Sequence, residues 1–186
     1  PQSYHDLLDT KWKGKIVMFD PTIASPAAWL FSRLSDSPSY GLEYWRKMAK
    51  QDIQFQRSYD SVDRMVALGE RNFGLAGTLS TTQQYLEAGA PIKLWYPPQD
   101  GRSMTLSVMS IVKNAPHHNA ARLLVNFMLT KEGQDLLSMI GSLPTRKDAK
   151  FEAHPQILAL RAVPLMYLFG REASEKASEY LLKKTA

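Results

Sequence analysis

Small hydroxyl residues recur at three places where an apolar strand-like run gives way to a helical pattern: Thr22 and Ser25, then Ser58 and Ser61, then Thr78, Ser80 and Thr81. The first turn of a helix presents free backbone N–H groups and a partial positive charge, so hydroxyls beside it suit a phosphate, carboxylate or carbonate group. Ordinary N-capping explains each hydroxyl taken alone. The repetition at equivalent turns is what points to a ligand. Tyr59 and Asp60, at the second turn, add a ring and a carboxylate that could stack on or pair with an organic cation, although Asp60 equally complements the dipole of its own helix. The predicted ligand-binding set is therefore Thr22, Ser25, Ser58, Tyr59, Asp60, Ser61, Thr78 and Ser80. Arg57 and Arg102 border the same edge and could neutralise an anion.

Catalytic and metal chemistry have weaker support. The chain has no phosphate loop of the GxxxxGK type, no HExxH, no nucleophile elbow and no paired carboxylates at a telling spacing. Its cysteine count is zero, which removes disulfides, thiolate zinc sites and thiol nucleophiles together. Adjacent His117 and His118 point different ways and read as a surface loop. No catalytic residue, cofactor or metal is expected.

Positioning the three turns requires strands that end side by side. Ile16 to Phe19 is a continuous apolar run, as in a strand covered on both faces of a parallel sheet. Asp20-Pro21 stops it, and Ser25-Pro26 opens a helix with its cap and a proline at the first position. The turn cluster Ser35 to Ser39 precedes a helix whose Leu42, Trp45 and Met48-Ala49 face the sheet. Strands follow at 53–55, 72–76 and 92–96, with helices between them, the last closed by Gly89-Ala90-Pro91. Alternating strand and helix at this spacing predicts a doubly wound, mostly parallel or mixed sheet of α/β class. Beyond Gly101 one strand is expected at Thr105 to Val112. Two helices follow, Ala120 to Leu129 with Leu123, Leu124, Phe127 and Met128 as its buried stripe, and Lys131 to Met139, capped by Thr130 and stopped by Gly141. A helical stretch from His154 carries Ile157, Leu160, Val163, Met166 and Leu168 on one side.

At 186 residues with 44% hydrophobic content the chain can bury a core. No apolar run is long enough to span a bilayer. The net charge of +5 lies mainly in the second part: residues 1 to 102 hold 12 Lys/Arg against 11 Asp/Glu, and the remainder 11 against 7. No basic block tracks nucleic acid.

The ordered pieces YHDLLDTKWKGKIVMFDPTIAS, LEAGAPIKLWYP, KNAPHHNAARLLVNFMLTKEGQDLL and GSLPTRKDA resemble ABC-transporter solute-binding proteins of the type 2 periplasmic class, in the branch of ferric-ion, thiamine and phosphorylated-solute binders. The resemblance runs over roughly residues 4 to 150. It implies two lobes with the ligand between them: residues 1–102 as the second, α/β lobe, and 103–186 as a mainly helical segment returning to the first. The N-terminal part of the first lobe and a signal peptide would lie outside this sequence. It further implies a non-enzymatic protein, periplasmic or lipid-anchored outside a Gram-positive cell, whose partners are a small-molecule or ion ligand and a membrane permease. Iron binders of this branch use adjacent tyrosines before the helix ending in A-G-A-P; here Gly77 to Thr82 has none, so the expected solute is an anion, or ferric ion held together with an anion. An effector domain of a transcriptional regulator, or an enzyme built on the same lobes, is the alternative. A hinge is expected between Trp95 and Ser107, centred on Gly101.

Overall fold

The computed structural model describes residues 1–23, 25–100, 108–151 and 153–159. Two short 3-10 turns, Tyr4–Leu8 and Thr10–Trp12, lead into β1 (Ile16–Phe19). The order then runs α1 (Pro26–Ser35), α2 (Gly41–Met48), β2 (Gln54–Gln56), α3 (Tyr59–Ala67), β3 (Phe73–Leu75) and α4 (Leu79–Glu87). After these come α5 (His118–Met128), α6 (Lys131–Met139) and α7 (Pro155–Leu158).

The sheet is parallel, with β1 between β2 and β3. All four residues of β1 are buried. In a parallel sheet right-handed crossovers apply, so the reversal from β1→β2 to β2→β3 puts α1 and α2 on one face and α3 on the other. The core accordingly joins Ala27, Leu30 and Leu34 of α1, Tyr44 and Met48 of α2, and Val62 and Met65 of α3 to β1. This is an α/β unit whose strands end at one edge, with a helix starting after each.

Several local signals act as the sequence indicates. Ser25 Oγ accepts from the Ala28 N–H at 3.3 Å, with Pro26 at the first helical position. Thr130 Oγ1 accepts from the Gly133 N–H at 3.1 Å. Gly89 and Gly141 leave their helices with φ of 76° and 80°, a region that costs glycine nothing.

Other expectations are corrected. Among the described residues the sheet is parallel, and the antiparallel member that a mixed sheet would add is not among them. Residues 92–96 form no strand: Ile92, Leu94 and Tyr96 pack with Leu79 and Leu86 of α4 and with Ile157 of α7, and the Leu94 N–H donates to Gln156 Oε1 at 2.9 Å. A side chain from the end of the described chain has taken the place of a neighbouring strand. On α2 the buried residues are Tyr44 and Met48, whereas Leu42 and Ala49 are exposed; Trp45 turns to α1, donating from Nε1 to the Phe31 carbonyl at 3.2 Å. The expected strand at Thr105 to Val112 falls partly on 101–107, outside the described residues, and 108–112 form no strand. On α5 the expected buried stripe is open, with Leu123 71% and Leu124 60% exposed, because α5 packs chiefly on α6 and, among the described residues, no strand lies beneath it. Gly101, Arg102, Leu160, Val163, Met166 and Leu168 lie outside the described residues.

Candidate functional site

The register aligns Phe19 with Gln56 and Met18 with Leu75, so the residues after β1, β2 and β3 emerge at one carboxyl edge. In open α/β sheets this is the edge where ligands dock. The three hydroxyl-bearing turns are brought together there, each as the residues leading into α1, α3 or α4.

They differ in how their hydroxyls are used. After β1, the Asp20 carboxylate accepts the Thr22 hydroxyl at 2.6 Å and the Thr22 N–H at 2.9 Å. Those bonds, led by the hydroxyl, hold the Asp20 carboxyl below its usual range, with Arg57 adding to the effect. Thr22 is thus committed to its own turn and Ser25 to capping α1. After β2, Ser58 is extended (φ −135°, ψ 135°) at the cap position of α3, but its hydroxyl does not bond to the helix. After β3, the Thr78 hydroxyl bonds to Ser80 and Thr81 at 3.4 and 3.0 Å rather than to backbone N–H groups of α4. The first-turn N–H groups of α3 and α4 therefore lack the side-chain cap that α1 has.

Tyr59 opens α3 with its ring stacked on Phe19, centroids 4.1 Å apart and planes 19° off parallel. Its hydroxyl is buried beside Ser25 without a hydrogen bond of regular geometry. Burial raises its pKa, and the Ser25 hydroxyl offsets part of the rise. Asp60 faces α4, where its Oδ1 accepts the Tyr85 hydroxyl at 2.9 Å, so it braces the two helices. Ser61, in the first turn of α3, is half-buried. Arg57, 83% exposed at its side chain, reaches Asp20 at 3.8 Å. It is free to swing at little cost, since so exposed a pair contributes little.

Three residues matter at the site that sequence reasoning did not assign to it. Asp20 organises the first turn. Asp63, buried in the middle of α3, accepts the Thr82 hydroxyl of α4 at 3.1 Å; its signal was a carboxylate inside the Tyr59, Val62, Val66 stripe. Gly141 lies against α4, where a Cβ would stand 3.0 Å from Ser80 Cα and 3.0 Å from Gln83 Oε1. The end of α6 therefore leans on the first turn of α4 and half-covers Ser80, a contact across some 60 positions that no local pattern announces. His117 and His118 begin α5, and no group of three or more His, Asp or Glu among the described residues is placed to hold a metal ion. No helix among the described residues is long and apolar enough to cross a membrane.

Comparison with known proteins adds independent findings. Residues 1–159 match the family described as bacterial extracellular solute-binding protein. A putative 2-aminoethylphosphonate-binding periplasmic protein of Salmonella typhimurium is 27% identical over 156 residues, covering 80% of this chain and 46% of the relative. Its counterpart of the same name in Salmonella typhi is 27% identical over 158 residues, with the same coverage. An uncharacterized protein of Haemophilus influenzae is 28% identical over 138 residues, covering 73% of this chain and 39% of its own length. The chain spans about half the length of the curated relatives it matches.

Proposed function

Since the chain belongs to the bacterial extracellular solute-binding family, we propose that it is the ligand-holding part of a solute-binding component of an ABC transporter. It captures a small oxyanion-bearing solute outside the cytoplasmic membrane and passes it to a permease, without catalysis. Residues 1–102 act as one lobe of a type II binding protein, and 103–186 return toward the other lobe, whose strands would cover the open face of α5. The periplasm is the compartment the relatives' names support.

The observation that carries this reading is the pair of helix starts, α3 and α4, at one sheet edge with hydroxyls beside them that do not cap their own helices. An anion placed there meets several N–H donors and the positive ends of two helix dipoles. Aminoalkylphosphonate is the solute class we favour: the phosphonate sits on these helix starts, and the Asp20 carboxylate at the neighbouring strand end receives the ammonium. Ser58, Ser61, Thr78 and Ser80 line the anion position, Tyr59 forms its wall with Phe19, and Thr22 and Ser25 shape the first turn. Asp60 braces α3 against α4 through Tyr85.

Charge-assisted hydrogen bonds contribute about 1.5–3 kcal/mol each, and millimolar binding corresponds to about 4 kcal/mol. A single lobe is therefore expected to bind in the millimolar range. The test is an NMR titration of this chain with 2-aminoethylphosphonate, methylphosphonate and ethanolamine. Amide shifts at residues 58–61 and 77–81 with both phosphonates are expected. Shifts with ethanolamine alone, or shifts confined to other surfaces, would overturn the reading.

A further inference from the structure

Asp63, in the middle of α3, lies against the first turn of α4 and the residues that lead into it. The Thr82 hydroxyl lies 3.1 Å from the Asp63 carboxylate and 2.9 Å from the Thr78 carbonyl, so its one proton is shared between the two acceptors. The backbone of the same turn is pressed against the carboxylate: a Cβ on Gly77 would stand 3.3 Å from Asp63 Oδ1. Ala76, just before, takes φ 63°, a left-handed conformation that a non-glycine residue adopts only when its surroundings hold it there. Asp63 is 8% exposed.

We infer that Asp63 is a positioning residue for the proposed anion site, one that sets the shape of the Ala76–Thr78 turn and whose charge opposes an anion bound at that turn. The inference rests on the site assigned above. A carboxylate at a helix start already uses part of the positive potential there, so a second anion at the same turn meets repulsion through a partly buried, poorly screened path. When Asp63 is neutral that repulsion disappears while the Thr82 contact and the turn remain.

The surroundings favour the neutral form. Burial raises the Asp63 pKa, and hydrogen bonds from Thr81 and Thr82 only partly offset it, with Asp60 adding a further rise. The charged and titratable groups around it are Asp60 and Arg64 on its own helix and Tyr85 on α4, which holds Asp60. The strands under α3 bring Asp20 and Arg57 at their carboxyl ends, paired at 3.8 Å.

The experiment uses methanesulfonate, whose charge is constant across the range, and follows the Asp63 carboxyl carbon by NMR from pH 4 to 8 with and without the probe. By reciprocity of linkage, bound anion raises the Asp63 titration midpoint to the extent that ionised Asp63 weakens binding. The affinity of the unmodified chain is expected to fall about threefold or more as pH rises through that midpoint. Asp63→Asn holds the tighter value throughout, and Thr82→Val, which deletes a hydrogen bond to the carboxylate, moves the midpoint upward. An Asp63 midpoint unmoved by saturating sulfonate that does perturb amides 77–81 overturns the inference while leaving the site intact. Absence of any perturbation at 77–81 overturns the site reading and this inference with it.

Discussion

The Asp100 carboxylate accepts the Tyr40 hydroxyl on both oxygens, at 2.6 and 2.7 Å, and thereby ties the chain after Pro97-Pro98 back to the start of α2. The Tyr4 N–H donates to the same carboxylate at 3.0 Å, and the Gln99 N–H donates to the Gln2 carbonyl at 3.1 Å. Both ends of residues 1–100 are thus stapled together next to the stretch where a lobe crossing is proposed. Tyr40→Phe removes a charge-assisted bond and is expected to destabilise the chain by about 1.5–3 kcal/mol. Asp100→Ala, which strands two donors, should cost at least as much. Urea melts of the two variants check this; a Tyr40→Phe effect under about 0.5 kcal/mol would mean that the pair is solvated and weak.

Alkaline pH should unfold the protein through its tyrosines. Tyr4, Tyr40 and Tyr44 meet edge to face, and the Tyr44 hydroxyl donates to the Tyr4 carbonyl at 3.0 Å. Burial, first among the causes, raises the pKa of each above the ordinary 10.0, helped for Tyr40 by its bond to Asp100. The folded state therefore keeps protons that the unfolded state releases, so the stabilising contribution is complete below pH 10.0 and declines as pH rises beyond it. Each such tyrosine contributes a slope of up to about 1.4 kcal/mol per pH unit. Thermal melts from pH 8 to 11 should show the decline, and Tyr44→Phe should flatten it by about one tyrosine's share. An equal slope in the variant would assign the effect to other groups.

Legibility from the sequence follows the range of the interaction involved. Ser25-Pro26, Thr130 and Gly89 act through atoms within a few residues, and each does locally what its type suggests. The apolar run at Ile16 to Phe19 was readable because burial on both faces leaves no polar position. Ile92 to Tyr96 alternates like a strand yet has its backbone engaged by Gln156, 62 positions away. Asp100 follows two prolines closely in the chain, yet its partners Tyr4 and Tyr40 lie 96 and 60 positions back. At the candidate site the hydroxyls were visible as types, but which of them are already committed to caps and turns depends on side-chain geometry.

The α5–α6 pair should drive self-association. Leu123, Leu124, Leu136, Met139 and Ile140 are all more than half exposed. The two helices cross closely at Gly133, where a Cβ would collide with the Phe127 carbonyl, so the pair is a firm platform rather than a loose appendage. Exposed apolar area of this kind is worth about 25 cal/mol per Å² when covered. Light scattering should show concentration-dependent dimers or larger species, and Leu123→Lys with Leu136→Glu should return the chain to monomer without lowering its melting temperature. A monodisperse monomer of the unmodified chain at high micromolar concentration would refute this.

Ser25 and Ser58 provide an internal contrast between a structural and a ligand-facing hydroxyl. The Ser25 hydroxyl accepts the Ala28 N–H, so Ser25→Ala removes a cap and should cost about 1 kcal/mol in stability. Ser58 occupies the same position on α3, but its hydroxyl bonds to no N–H of that helix, so Ser58→Ala should change stability by less than about 0.5 kcal/mol. If an anion uses the start of α3, the order reverses for binding. Ser58→Ala should weaken methylphosphonate affinity severalfold, whereas Ser25→Ala, set back in its own turn, should change it little beyond its effect on folding. Paired urea melts and NMR titrations of the two variants read both quantities. Equal affinities in Ser58→Ala and the unmodified chain would move the anion away from α3 and leave α4, with Thr78 and Ser80, as its remaining support.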